Sequence, residues 1–313
     1  MGKEIYKILH PKTAGLTGKR KPIALVIHSP NDDEAGTSVD FTSAIDFVTD
    51  IGYGKMNTAR KFSFPITEDG LADDEQLQAS IRTGGKPPES LTLWLESHGA
   101  PGWLFAGPRE ARAEFLATLN FARFVRQLER FSGTSIDNIV LSGCFTANEY
   151  YNAESSVYFN SPARMLSFLL PEKKIVGFVG QHACAKVSNV YRKTGDDTYT
   201  SVYVNPEDAA VLYQNGAVLE AYEEELYCNH AYTPPFINKH CALGLTAETK
   251  ATTFYRPCQA RELVASDPYK YYVEEDSYGE KQTRSAAKAL ARLQEETLLV
   301  AAEETAEATS LTV

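Results

Sequence analysis

Cysteine and positive charge are both scarce in this chain, and no apolar run is long. Its 313 residues include five cysteines, at positions 144, 184, 228, 241 and 258. That is too few for the disulfide framework that staples small secreted domains. They read as reduced thiols in a reducing compartment, with at least one available for reaction. Lys and Arg number 31 against 41 Asp and Glu, a net charge of −10. A general nucleic-acid binder needs a basic stripe to neutralise phosphates, so nucleic acid is set aside as a partner. No early apolar stretch reaches the roughly 20 residues of a spanning helix, so no membrane span is expected. No secretory signal is visible. Met1-Gly2 invites N-myristoylation, but Tyr6 stands where that motif needs Ser or Thr.

What is present suits a packed α/β domain. Hydrophobic residues make up 43% and aromatic residues 11%, enough for a core. Residues 1–21 are polar and Gly/Thr-rich and read as a flexible arm. Pro22–His28 is a short continuous apolar run ending at the turn signal Ser29-Pro30-Asn31-Asp32-Asp33, which fits a strand buried on both faces. Residues 38–51 follow helical spacing up to Gly52, and a short strand is expected near 62–66. Leu91–Leu95 is a second buried strand, ending in Ser97-His98-Gly99. Residues 109–131 carry one helical apolar stripe. Ile139–Leu141 is a third strand, ending in Ser142-Gly143-Cys144. A helix over Ala163–Leu170, a strand over Ile175–Val179 and a strand over Tyr199–Val204 follow. Asn205 and Pro206 then suit the start of a helix running to about Leu226. Strands alternating with helices predict a mostly parallel sheet with helices on both faces. The catalytic domain is expected over 22–280, followed by a helical acidic tail over 281–313.

Two strand ends carry the chemistry. One buried strand finishes in His98-Gly99, and the next, a single helix later, finishes in Gly143-Cys144. A strand–helix–strand crossover sets such strands side by side and pointing the same way. Both C-terminal ends therefore open on one sheet edge, where α/β folds bind ligands. A thiol of pKa near ~8.5 is mostly protonated at neutral pH and needs an imidazole to raise its thiolate fraction or take its proton. The same imidazole then protonates a leaving amine. Gly99 lets the backbone come close beneath a substrate carbonyl, so the Gly99 and Cys144 N–H groups are expected to form an oxyanion hole.

These two blocks carry a resemblance. Leu91–Leu95 followed by Ser97-His98-Gly99-Ala100-Pro101-Gly102-Trp103-Leu104-Phe105 is similar to the hydrophobic block, His-Gly and hairpin of caspase-like (clan CD) cysteine peptidases. Ile139-Val140-Leu141-Ser142-Gly143-Cys144 is similar to their second block. Its Gly-Cys form most resembles the self-processing protease domains of large bacterial toxins. The resemblance spans about residues 22–205 in the order of elements. It implies a caspase-like three-layer α/β sandwich and a cysteine-type endopeptidase with His98 as general acid/base and Cys144 as nucleophile. Caspases place an Arg after their first strand; here Asp32 and Asp33 stand in that region, implying that aspartate specificity gives way to a basic preference. The inositol hexakisphosphate sensing of the toxin domains is not carried over, and no cofactor or metal is assigned.

The remaining signals are smaller. Val179-Gly180-Gln181-His182-Ala183-Cys184 resembles the caspase Gln-Ala-Cys signature and makes Cys184 a rival nucleophile, although it lies a further crossover from His98. This segment is expected to follow the sheet strand that lines the substrate groove, with Gln181 and His182 as candidate substrate-binding residues and a plain surface role as the leading reading of His182. His28 ends the first strand and lies on the same edge. Cys228, His230, His240 and Cys241 offer four zinc-type ligands at a spacing that matches no standard finger. Glu303-Glu304-Thr305-Ala306-Glu307 resembles the glutamate-block export signals of type IV secreted bacterial effectors, the alternative being a solvated helix end. Leu311-Thr312-Val313 loosely fits a PDZ ligand. The expected partner is a protein or peptide substrate, with a host protein in view, and the expected location is the cytoplasm or, after secretion, a host cytosol. Two other functions share the dyad or the fold: deamidation or acyl transfer on a protein side chain, and a catalytically silent scaffold.

Overall fold

The computed structural model describes residues 3–11, 23–28, 54–55, 90–96, 99–100, 103–105, 115–116, 118–152, 157–159, 161–183, 187–221, 225–229, 254–255, 272–275, 281–284, 291, 293–296, 298 and 302. The helix expected at 38–51 and the strand expected at 62–66 lie wholly outside them.

The principal strands, in chain order, are β1 (Ile23–His28), β2 (Gly54–Lys55), β3 (Ser90–Glu96), β4 (Ser135–Ser142), β5 (Lys174–Phe178), β6 (Gln181–Ala183), β7 (Val187–Gly195), β8 (Thr198–Val204), β9 (Ala210–Gln214) and β10 (Ala217–Ala221). The helices are α1 (Lys3–Leu9), α2 (Thr118–Ser132) and α3 (Pro162–Leu169). Seven strands form one sheet in the order β10-β9-β5-β4-β3-β1-β2. From β2 to β5 every pairing is parallel; β9 and β10 close that side as an antiparallel hairpin. The chain is thus an α/β protein built on a mostly parallel sheet. Strands β6, β7 and β8 make a separate antiparallel meander.

Burial follows from the residue pattern. Leu91, Leu93 and Leu95 of β3 alternate with Thr92, Trp94 and Glu96, yet both sets are buried. A strand with no solvent face is what a parallel sheet demands. The leucines join Ile139 and Leu141 of β4 in a core with Phe121, Phe124, Val125 and Leu128 of α2 and Met165, Leu166 and Leu169 of α3. Helix α3 begins as its residues dictate: Ser161 caps it, its hydroxyl accepting from the Arg164 N–H at 3.2 Å, and Pro162 occupies the first turn. Inside this layer Lys173 is paired with Glu129 at 2.5 Å and donates to the Ile136 carbonyl at 2.9 Å.

Three expectations are corrected. The segment read as a flexible arm holds α1, with Ile5, Ile8 and Leu9 buried. The Glu220 carboxylate of β10 accepts from the amides of Glu4 and Ile5, and Lys174 pairs with Glu4 at 2.8 Å. Lys174 and Lys7 hold the Glu4 carboxyl down to about 2. The helix expected from Pro206 to about Leu226 is one 3₁₀ turn, Pro206–Ala209, followed by the β9–β10 hairpin. The tail is not wholly a solvated helix. Lys281–Arg284 pairs with Tyr272–Glu275 as a hairpin, Leu293 is buried in the core, and Glu296 grips Arg123 of α2 with both carboxylate oxygens. Tyr199–Val204 does form a strand, β8, but in the meander rather than the main sheet. Among the described residues no helix is long and apolar enough to cross a membrane.

Candidate active site

β3 and β4 run parallel with Glu96 opposite Ser142, and β1 runs beside β3 with His28 opposite Glu96. Their C-terminal ends therefore reach one edge together. There the chain after β3 comes back as Gly99–Ala100, paired antiparallel with Trp103 and Leu104. Gly99 lies against the chain that leaves β4: a β-carbon added to it would stand 2.2 Å from the Cys144 carbonyl oxygen and 3.1 Å from the Cys144 nitrogen. Only a residue without a side chain fits there.

Cys144 is half-buried, and its position is fixed from three sides. Phe145, the next residue, adopts a left-handed backbone with φ of 59°, which turns the chain sharply after the thiol. Its N–H donates to the Gly180 carbonyl at 2.7 Å. The Thr146 hydroxyl donates to the Leu141 carbonyl at 2.9 Å and accepts from the Phe178 N–H at 3.0 Å. The Asn148 side-chain oxygen accepts from the Gly180 N–H at 3.1 Å. The turn is thereby sewn to β5 and to the start of β6. On β6, the His182 N–H donates to the Cys144 sulfur at 3.4 Å, and the thiol donates to the His182 carbonyl at 3.4 Å.

The electrostatics differ between the two side chains. Burial pushes the Cys144 thiol up, and the Glu96 carboxylate adds to that, while the His182 main-chain hydrogen bond opposes them. Burial lowers the His182 imidazole to about 3, so it is neutral throughout the physiological range. Its ring stacks on Phe178 with centroids 3.8 Å apart, and its Nδ1 lies 2.9 Å from the Ser188 hydroxyl. A ring so placed is a core group, not a surface one, and it is a poor base for the thiol beside it.

Of the other residues singled out from the sequence, Gln181 is half-buried and lines a small open hollow with Phe145, Tyr191, Tyr227 and Cys228. This hollow starts one residue from Cys144 and contains no charged side chain in its lining. Cys228 is buried within it. His98, Asp32, Asp33, Cys184, His230, His240 and Cys241 lie outside the described residues, as does the side chain of His28. No group of three or more metal-ligating side chains occurs among the described residues. Sequence reasoning overlooked Glu96 and Phe145. The signal for Glu96 was available, because a carboxylate directly follows the unbroken buried run Leu91–Leu95.

No known protein family matches this chain, and no curated protein sequence does.

Proposed function

We propose that this protein is a cysteine hydrolase of the caspase-like group, which cleaves peptide bonds through an acyl-enzyme on Cys144 with His98 as general acid and base. The observation that carries this reading is the contact of Gly99, the residue after His98, with the backbone of Cys144 at the open C-terminal edge of β3 and β4. Parallel strands in the order β2-β1-β3-β4-β5 with a terminal antiparallel partner support the three-layer caspase-like sandwich.

The chemistry follows from where the groups sit. At neutral pH the Cys144 thiol holds its proton, so attack on a carbonyl needs a base. The buried, neutral His182 ring is engaged with Ser188 and does not serve. His98 takes the proton as sulfur bonds to the carbonyl carbon, and the Gly99 and Cys144 N–H groups hold the oxyanion. The imidazolium then gives that proton to the departing amine as the C–N bond breaks, leaving a thioester. Water, deprotonated by His98, cleaves the thioester, releases the carboxylic acid and restores the thiol.

The test is a diverse peptide-substrate screen run on the wild type and Cys144→Ala together, with products identified by mass. Cleavage by the wild type alone supports the reading. A set of intact products heavier by about one dalton indicates deamidation instead. Equal labelling of wild type and Cys144→Ala by an electrophilic thiol probe overturns the choice of nucleophile.

A further inference from the structure

The turn that follows Cys144 contains a strained residue: Phe145, a bulky side chain, sits in the left-handed region at φ of 59°. Such a conformation lasts only where its neighbours over-determine it. The bonds to β5 and Gly180 described above hold one side of this turn. The other side meets α3 and β9. At the start of α3 the Ala163 N–H donates to the Thr146 carbonyl at 3.0 Å. The turn then ends in Glu149, whose side chain is 1% exposed, and Arg164 of α3 sets its Nη1 3.3 Å from both carboxylate oxygens. A second route reaches the same carboxylate from the helix cap. The Ser161 hydroxyl, which accepts from the Arg164 N–H, donates to the Tyr213 hydroxyl at 3.4 Å, and Tyr213 donates to Glu149 Oε1 at 3.3 Å. Tyr213, on β9, is fully buried, and its hydroxyl also lies 3.4 Å from the Ala147 carbonyl inside the turn. With one proton to give, it serves the anion, the stronger acceptor.

We propose that Glu149, Arg164 and Tyr213 form a positioning unit for the Cys144 site, holding its turn from the helix side so that the thiol keeps one direction. Replacing a buried ion pair with apolar side chains of similar volume is often neutral or stabilising. What apolar packing does not supply is orientation, because it sets distance without direction, whereas a charge-assisted pair sets both. Each member is itself anchored. Arg164 Nε donates to the Gly216 carbonyl at 2.8 Å, the Ser161 cap fixes the Arg164 main chain, and the Tyr213 ring is packed in the core. A bond network of this kind is cooperative, so losing one member loosens the others. The unit acts through the Phe145 turn, not on the substrate. Its purpose rests on the hydrolase reading; the fixing of the turn does not.

The fixing is measured without substrate, by amide hydrogen exchange. The amides of Phe145, Ala147 and Asn148 are all hydrogen-bonded, and those of residues 121–128 in α2 report opening of the whole domain. In Glu149→Gln the turn amides exchange about tenfold faster or more relative to the α2 amides. In Tyr213→Phe, which removes one oxygen atom, the relative rise is about threefold. A loss of stability alone would speed both sets together. On a cleaved peptide both variants lower kcat while KM stays within about twofold. Turn and helix amides moving in step overturn the proposal, as does a selective rise in exchange with kcat unchanged. If Glu149→Gln does not fold, Tyr213→Phe decides by the same criteria. A selective rise in a protein that cleaves no peptide sinks the hydrolase reading and leaves the fixing of the turn standing. Cleavage with turn exchange unmoved in the variants does the reverse.

Discussion

The amide nitrogen and the carbonyl oxygen of His182 each lie 3.4 Å from the sulfur of Cys144. The main chain of one residue thus brackets the thiol, while its ring turns away to stack on Phe178. A side chain buried for packing thereby fixes the backbone that brackets Cys144. The ring's neutrality is part of that arrangement, because a protonated imidazole in the same place would be an uncompensated buried charge.

That neutrality predicts a pH dependence of stability. The His182 pKa is depressed in the folded protein, from an ordinary 6.5 to about 3, so the unfolded chain binds the proton first. Stability is then full above the unfolded value and falls as pH drops through about 6.5 toward 3. Between about pH 8 and pH 5 this one group removes roughly 2 kcal/mol. Glu4, with its carboxyl held down to about 2, begins to contribute losses only below its ordinary 4.5, so the window is free of it. Denaturant unfolding at a series of pH values checks this. His182→Phe, which keeps a flat ring on Phe178, should show a shallower slope across the window; an unchanged slope refutes the assignment.

A second prediction concerns the hairpin that replaced an expected helix. Asn215 and Gly216 join β9 to β10 with φ of 48° and 70°, the two left-handed positions of a type I′ turn. The Gly216 carbonyl accepts from Arg164 Nε at 2.8 Å, and its N–H donates to the Ser167 hydroxyl at 3.1 Å, so the turn is tied to α3. Gly216→Ala should cost about 1–2 kcal/mol, the usual penalty for a β-carbon in this region. Equilibrium unfolding measures it, and Asn215→Gly, which relaxes the other position, should cost nothing.

The same hairpin shows where sequence was legible and where it was not. Pro206 after Asn205 does open a helical turn, but the Asn215-Gly216 dipeptide is a stronger local instruction than the helical spacing read across it. Continuous apolar runs such as Leu91–Leu95 and Ile139–Leu141 marked the central strands well, because only a strand covered on both faces needs them. Helix α1 was missed for the opposite reason. Its short apolar set, Ile5, Ile8 and Leu9, is too small to signal a helix alone, and it is secured by Glu220 and Lys174 from distant parts of the chain. At the site, the paired strand ends pointed to Cys144 and Gly99. The bracketing by His182 was not readable, since main-chain contacts leave no trace in residue type.

The last prediction follows from the closeness of Gly99 to Cys144. In Gly99→Ala the new β-carbon would lie 2.2 Å from the Cys144 carbonyl oxygen, and the obstacle is backbone on both sides, so no side chain can swing aside. The segment after β3 must back away from the turn after β4 by an ångström or so. A misplacement of about 1 Å at reacting groups lowers turnover by about 10²-fold, whereas local strain of this kind costs only about 1–3 kcal/mol of stability. The expected outcome is a folded protein, by circular dichroism and thermal unfolding, whose kcat/KM on a cleaved peptide falls by at least about two orders of magnitude. Cys144 should still alkylate with iodoacetamide, because its own turn is held by Thr146 and Gly180 rather than by Gly99. Activity retained near the wild-type level would mean that the contact is incidental to the reaction, and the oxyanion role assigned to Gly99 would fall with it.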